Sequence, residues 1–396
     1  MTFLGTLAGL LWWYAFIVHI YEMFGVSSLS IVISLTSAVS AISPVLGGII
    51  AKYIDRRRII LFRYITYSML LYLLSTVTKF YIIVLCLMLI YAVASLASPS
   101  ISSLIADYSN KKTYGTSYSL IWFSRIIGYC IGPLIGGLII HLLGLNYSLV
   151  IASLFSISSA ATSLLLRKVE ANTNSSTSYG MRGISDLLNF LRKAIKRKKL
   201  LSLLLYTLID GSCMGLLSIG EPLYMKEALR MKKYEVNYAF GILHVGDAIF
   251  SIPSGKISDK IGRDKCVILA VMANSLFTIM FANNRSKLLL IPIMLGIGCV
   301  GTLAAIAYRA AVAEVTETSD RALMFGCIRS TYRIGGIISP LIVPLIIMYG
   351  LSMPLYIAAT LWLLSAILIY YAFIWGKDER HINKSSQKSS QLKEDL

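Results

Sequence analysis

Apolar runs of about twenty residues recur along this chain from end to end. They lie near 3–22, 27–52, 59–78, 81–106, 116–141 and 147–166, then near 200–222, 235–258, 265–283, 288–313, 322–348 and 353–375. A helix rises about 1.5 Å per residue, so each run matches the roughly 30 Å hydrocarbon layer of a bilayer. A backbone in that layer must satisfy its own N–H and C=O groups, which a helix does. Charged residues make up only 14% of the chain, against about a quarter in soluble domains. The runs predict an all-α polytopic membrane protein with twelve transmembrane helices.

The formal net charge is +18, a balance that in a soluble domain would point to nucleic acid. Here the basic residues flank apolar runs and form no domain of their own, so no nucleic-acid partner is expected. Lys52, Arg56, Arg57, Arg58 and Arg63 follow the second run, Lys111 and Lys112 the fourth, and Lys260, Arg263 and Lys265 the eighth. Arg192, Lys193, Lys196, Arg197, Lys198 and Lys199 crowd the interval after the sixth. The loops at 144–148 and 350–354 carry no basic residue, and 226–233 is a local exception. Positive-inside bias then predicts a plasma-membrane protein with both termini and the central loop in the cytoplasm. Residues 3–22 follow no basic leader and precede no small-residue cleavage site, so they are expected to remain as a first helix.

Six runs, a polar interval and six more suggest an internal repeat. Gly48 and Gly255, Asp107 and Glu314, Gly128 and Gly335, and Pro133 and Pro340 all stand at one constant offset. The predicted organisation is a six-helix bundle at 1–167, a linker at 168–199, a second bundle at 200–376 and a polar tail at 377–396. Within the linker, Ile184, Leu187, Leu188, Leu191 and Ile195 recur at helical spacing among basic residues. This basic amphipathic helix either lies on an anionic leaflet or is a solvated connector. The six cysteines are scattered singly and imply neither disulfides nor a metal.

Two motifs carry more specific information. GKISDKIGRDK (255–265), between two apolar runs, resembles the loop signature of the Major Facilitator Superfamily through Gly255, Asp259, Lys260, Gly262, Arg263 and Lys265. SRIIGYCIGPLIGG (124–137) resembles a fifth-span pattern enriched among that family's proton-coupled exporters, through Gly128, Gly132, Pro133, Gly136 and Gly137. The pattern's further upstream glycine falls here on Ser119. The resemblance covers about residues 5–375 and is nearest to the twelve-helix drug/proton antiporters. It implies two pseudo-symmetric six-helix bundles that expose a central cavity alternately to each side.

In such a fold the loop charges would latch one conformation. The glycine would let helices approach closely, and the aspartate would accept from a facing helix N-terminus. The first-half copy, GIIAKYIDRRR (48–58), keeps Gly48 but places Lys52 at the aspartate position. Either Asp55 reaches back to replace that carboxylate, flanked by Arg56 and Arg57, or the first latch is weaker. The fourth run also lacks the arginine that exporters of this family carry there.

Ionisable groups inside a bilayer cost about 2.5–3.5 kcal/mol each on insertion scales and so need a partner or a task. Asp210, His244, Asp247, Arg309, Arg329 and Arg333 are the candidates for substrate or proton coupling. The three arginines have structural pairing as an alternative, with Glu314 or Asp259. His244 stands one turn before Asp247 on the same helix face. No nucleotide-binding loop, metal-ligand cluster, cofactor motif or catalytic set is present in the sequence, so an enzyme is not expected.

The leading expectation is a monomeric secondary transporter, a proton-coupled exporter of small amphiphilic molecules. The alternatives are an uptake carrier or uniporter for an anionic metabolite, and a non-transporting membrane sensor of similar fold.

Overall fold

The structure is a computed structural model describing residues 1–51, 53–101, 104, 114–165, 197–316 and 321–371. Almost all of the linker and the whole polar tail lie outside the described residues, as do Lys52 and Asp107. Among the described residues there is no strand, and nine stretches are long and apolar enough to cross a membrane.

The chain runs α1 (Thr2–Leu10), α2 (Trp13–Ile50), α3 (Arg56–Leu74), α4 (Phe80–Leu96), α5 (Tyr114–Leu143) and α6 (Leu145–Leu164) through its first half. The second half holds α7 (Lys198–Glu227), α8 (Lys233–Ser251), α9 (Pro253–Ile261), α10 (Arg263–Asn283), α11 (Lys287–Val315) and α12 (Arg321–Ile347). A last helix, α13, spans Met353–Tyr371. Each of the twelve expected runs has a helix at its position. The stretch Thr2–Ile50 is 49 residues long, more than twice what a bilayer accepts at helical rise. Gly25 divides it, with φ 79 and ψ 176, a conformation that side chains rarely adopt. Pro253 opens α9 directly after α8, because a ring there needs no N–H partner in the first turn.

Large side chains such as Leu142, Leu164, Leu288 and Leu345 are exposed on the outer surface, as lipid-facing residues must be. The inward faces form one apolar cluster that includes Trp12, Phe16, Leu87, Leu217, Tyr224 and Val312. Small polar residues join the helices where apolar burial alone would not. Ser68 Oγ of α3 donates to the Ser153 carbonyl of α6 at 2.9 Å, and Ser156 Oγ returns a bond to the Tyr64 carbonyl at 2.7 Å. Ser275, at the repeat position of Ser68, makes the corresponding bond from α10 to the Ala359 carbonyl of α13 at 2.8 Å. Gly128 and Gly335 also play matching parts. The first faces Phe3 and Thr6 of α1, the second Leu208 and Ser212 of α7.

The glycines of the fifth-span motif pack α5 closely. A methyl at Gly128 would stand 2.9 Å from Thr6 Cβ, and one at Gly132 3.1 Å from Leu10 Cβ. One at Gly136 would overlap the Leu11 carbonyl, and one at Gly137 would come within 2.7 Å of Tyr238 on α8. The two halves meet along α5 with α8 and α2 with α12.

Gly48 and Gly255 leave open space beside their backbones in this structure. A methyl at either would meet nothing within 4 Å. The close contact belongs instead to Gly47, which faces the backbone of Leu96 on α4. Gly262 serves by conformation, holding φ 94 between α9 and α10. Gly136→Ala should therefore cost about 1–3 kcal/mol through overpacking. Gly48→Ala should be neutral or slightly stabilising, because alanine loses less entropy on forming a helix. Thermal unfolding of the two variants in detergent checks this, and equal melting temperatures would show that the Gly136 contact is not tight.

Candidate functional site

The loop signatures lie at one end of the bundle, here called the basic end. Asp55 caps α3: its Oδ1 accepts from the Arg57 backbone N–H at 3.0 Å, and its Oδ2 pairs with the Arg57 guanidinium at 3.3 Å. Capping costs no reach across a gap and offsets the positive N-terminal dipole. Asp259 sits apart from any facing helix among the described residues. It is 69% exposed and its Oδ1 stands 3.5 Å from Arg263, within its own segment. Arg263 extends to the Ala310 carbonyl at 3.5 Å and to Glu314 at 3.4 Å. One guanidinium thus ties the α9–α10 turn to the C-terminal end of α11, where carbonyls and a carboxylate favour a cation. These pairs stay inside their own halves. Lys260 is exposed in the same turn.

At the opposite end the ion pairs join the halves. Glu22 of α2 pairs with Lys226 of α7 and with Lys233 of α8, the second at 2.7 Å. Lys233 also stands 3.1 Å from His19 Nδ1. Deeper in, Asn237 of α8 is fully buried. Its Nδ2 donates to the Leu11 and Pro133 carbonyls, each at 3.0 Å, and its Oδ1 accepts from the Ala15 N–H at 3.1 Å. The break at Leu11–Trp12 frees Leu11 O and Ala15 N, and one amide side chain satisfies both. The end away from the basic loops is therefore closed by contacts between halves.

A cavity of about 400 Å³ lies in the first half, between α1–α2, α3, α4 and α5. It extends from Thr2, Arg63 and Ile101 near the basic end to Tyr14 and Tyr129 at mid-bundle. At its inner wall a hydrogen-bonded chain crosses between halves. Tyr14 Oη is 2.8 Å from His244 Nε2, and His244 Nδ1 is 2.9 Å from Asp247 Oδ2. Asp247 Oδ1 accepts from Thr302 Oγ1 of α11 at 2.7 Å. Tyr14 stacks on Phe240 at 3.9 Å, and the Tyr129 ring lies 5.5 Å from that of His244. The Cys130 thiol donates to the His244 carbonyl at 2.9 Å.

This chain accommodates His244 with either one or two ring protons. With Nδ1–H donating to Asp247, Nε2 accepts from the Tyr14 hydroxyl. A proton added at Nε2 reverses that bond and makes Tyr14 Oη the acceptor. The hydroxyl can turn, so protonation re-aims a group in the cavity wall without breaking the chain.

Asp210 belongs to a different contact. Asp210 of α7 accepts from Trp362 Nε1 at 3.0 Å. Arg309 and Arg329 are exposed and Arg333 is half-buried. Sequence reasoning missed the roles of Tyr14, Thr302 and Asn237, and it passed over Glu221, buried in α7 beside Pro222. It also grouped Arg63 with the loop charges, whereas the side chain lines the cavity. An asparagine or glutamate inside an apolar run was the available signal for Asn237 and Glu221.

The family model described as Major Facilitator Superfamily matches residues 1–218 and again 203–394. The chain belongs to the Major Facilitator Superfamily. It is a multi-pass membrane protein of that fold. It is 26% identical over 181 residues to the tetracycline resistance protein, class B, of Escherichia coli, covering 45% of this chain and 44% of that one. It is 24% identical over 212 residues to multidrug resistance protein 2 of Bacillus subtilis (strain 168), covering 52% of each. The chain thus spans about half the length of the curated relatives it matches. The crystal structure of the nucleoside transporter NupG superposes with a TM-score of 0.77 at 16% identity, over 94% of this chain and 97% of NupG. A mutant of NupG gives 0.79, also at 16% identity, over 94% and 98%. These superpositions establish the superfamily fold over nearly the whole chain.

Proposed function

We propose that the protein is a proton-coupled exporter of small amphiphilic molecules, working by alternating access between two six-helix bundles in the plasma membrane. The observation that carries this reading is the Tyr14–His244–Asp247–Thr302 chain, which joins a cavity wall of one half to titratable groups of the other. A proton arriving there alters both the cavity and the contact between halves, which is what coupling requires. The resistance functions in the names of the two curated relatives support export. With both termini cytoplasmic, the contacts around Glu22 and Asn237 close the outer side and the cavity faces the cytoplasm. The monomer is the working unit, with no cofactor.

A second reading, uptake of an anionic metabolite, is favoured by the two arginines in the cavity, Arg63 and Arg125. An anion and a proton at neighbouring sites attract one another, which suits cotransport.

Inside-out vesicles carrying the protein, acid inside, separate these readings. A fluorescent naphthalenesulfonate and ethidium serve as anionic and cationic probes. Export predicts that at least one probe accumulates, and that an uncoupler collapses the accumulation to the level of protein-free vesicles. Accumulation only with the gradient reversed establishes cotransport, and accumulation indifferent to the uncoupler excludes proton coupling.

A further inference from the structure

The cavity wall is unusual in its charge. It holds two guanidinium groups, Arg63 of α3 and Arg125 of α5, and no carboxylate lines it. Among the described residues no acid forms an ion pair with either arginine. Arg63 Nε is buried without a hydrogen-bond partner, and its guanidinium lies over the Tyr64 ring at 4.9 Å. Each guanidinium is only partly exposed, and no carboxylate among the described residues offsets its desolvation. Six rings, those of Trp13, Tyr14, Tyr64, Tyr67, Tyr91 and Tyr129, share the remaining wall with small and aliphatic residues. Such rings offer flat apolar faces with hydroxyls at their edges. A volume of about 400 Å³ is within the range of small-molecule sites.

We propose that this cavity binds a planar aromatic anion, its carboxylate, sulfonate or phosphate group held by Arg63 and Arg125 and its ring lying among the tyrosines. A planar guanidinium suits an anion with two or three oxygens, because its N–H groups present parallel donors. The orphan Arg63 Nε–H gains an acceptor on binding. A cationic amphiphile of the same shape would meet two like charges. The inference rests on the transporter reading but is independent of transport direction.

The test is equilibrium binding to the purified full chain in detergent, with no gradient imposed. Three probes share one ring system and differ in charge: 1-naphthoate, naphthalene-1-carboxamide and 1-naphthylmethylammonium. The carboxylate should bind at least tenfold more tightly than the carboxamide, and the ammonium more weakly still. Arg63→Gln and Arg125→Gln should each weaken naphthoate about tenfold or more and leave the carboxamide unchanged. Arg125→Lys should retain part of the preference as a point charge. Carboxamide or ammonium binding as tight as the carboxylate overturns the proposal, as do unaltered naphthoate binding in the glutamine variants and no binding of any probe. Should a glutamine variant not fold, the wild-type charge series and Arg125→Lys decide the matter. Failure here leaves proton-driven accumulation in the vesicles intact, and failure there leaves charge-selective binding intact.

Discussion

Asp247→Asn should lower gradient-driven transport in reconstituted vesicles by about a hundredfold while changing probe binding to the detergent-solubilised protein by less than about threefold. Asparagine keeps the size of aspartate and can still accept from Thr302. It removes the only carboxylate in the chain that leads from Tyr14 through His244. Without it, a proton reaching His244 has no adjacent negative charge, and a buried unpaired imidazolium is strongly disfavoured. Coupling should fail while the cavity keeps its shape. A matched loss of binding and transport would instead show that Asp247 holds the packing of α8 against α11. Comparing the two losses is essential, because a residue argued to carry protons must affect the driven cycle more than the resting site.

Asn237→Leu should lower the melting temperature in detergent by about 3–7 °C. Leucine has the same branched shape but would orphan the N–H of Ala15 and take one donor from each of the carbonyls of Leu11 and Pro133, the first of which keeps its bond from Ser148. A buried N–H left without a partner costs about 1–3 kcal/mol, and Asn237 is fully buried. All three bonds run from α8 to the first half, so the loss also loosens the closed end. In a variant retaining Cys130 as its only cysteine, maleimide labelling should rise several-fold, because that thiol lies against the His244 carbonyl on the same α5–α8 seam. A melting temperature within about two degrees of wild type would exclude Asn237 as the clamp.

The fifth-span motif shows how far a pattern of residue types can be taken. Glycines four apart on a helix must line one face, and here Gly128 and Gly132 meet α1 while Gly136 meets Leu11 just beyond its end. The loop signature was less informative. Its spacing located a turn between two spans, yet the positions of Gly48 and Gly255 did not reveal the open space that a methyl at either would meet. Asp55 illustrates the same limit. A carboxylate just before a helix can cap that helix or reach across a gap, and only the placement of α3 distinguishes the two. His244 and Asp247 were legible as a pair because one helical turn separates them. Their partners Tyr14 and Thr302 stand far away in sequence, and nothing local marks either.

Hydropathy by itself determined that this chain is a helical membrane protein and where its spans lie, because the bilayer imposes one length and one backbone solution on every crossing. Recurrent landmarks at a fixed offset foreshadowed the shared Ser68 and Ser275 bonds for the same reason: equal sequences pack equally. Tertiary structure alone decided which buried polar groups meet. Whether Asn237 finds Leu11, or Arg63 faces a cavity or the loops, depends on the rotation and approach of helices distant in the chain. Those are set by the summed packing of all their neighbours, and no short stretch of sequence contains them.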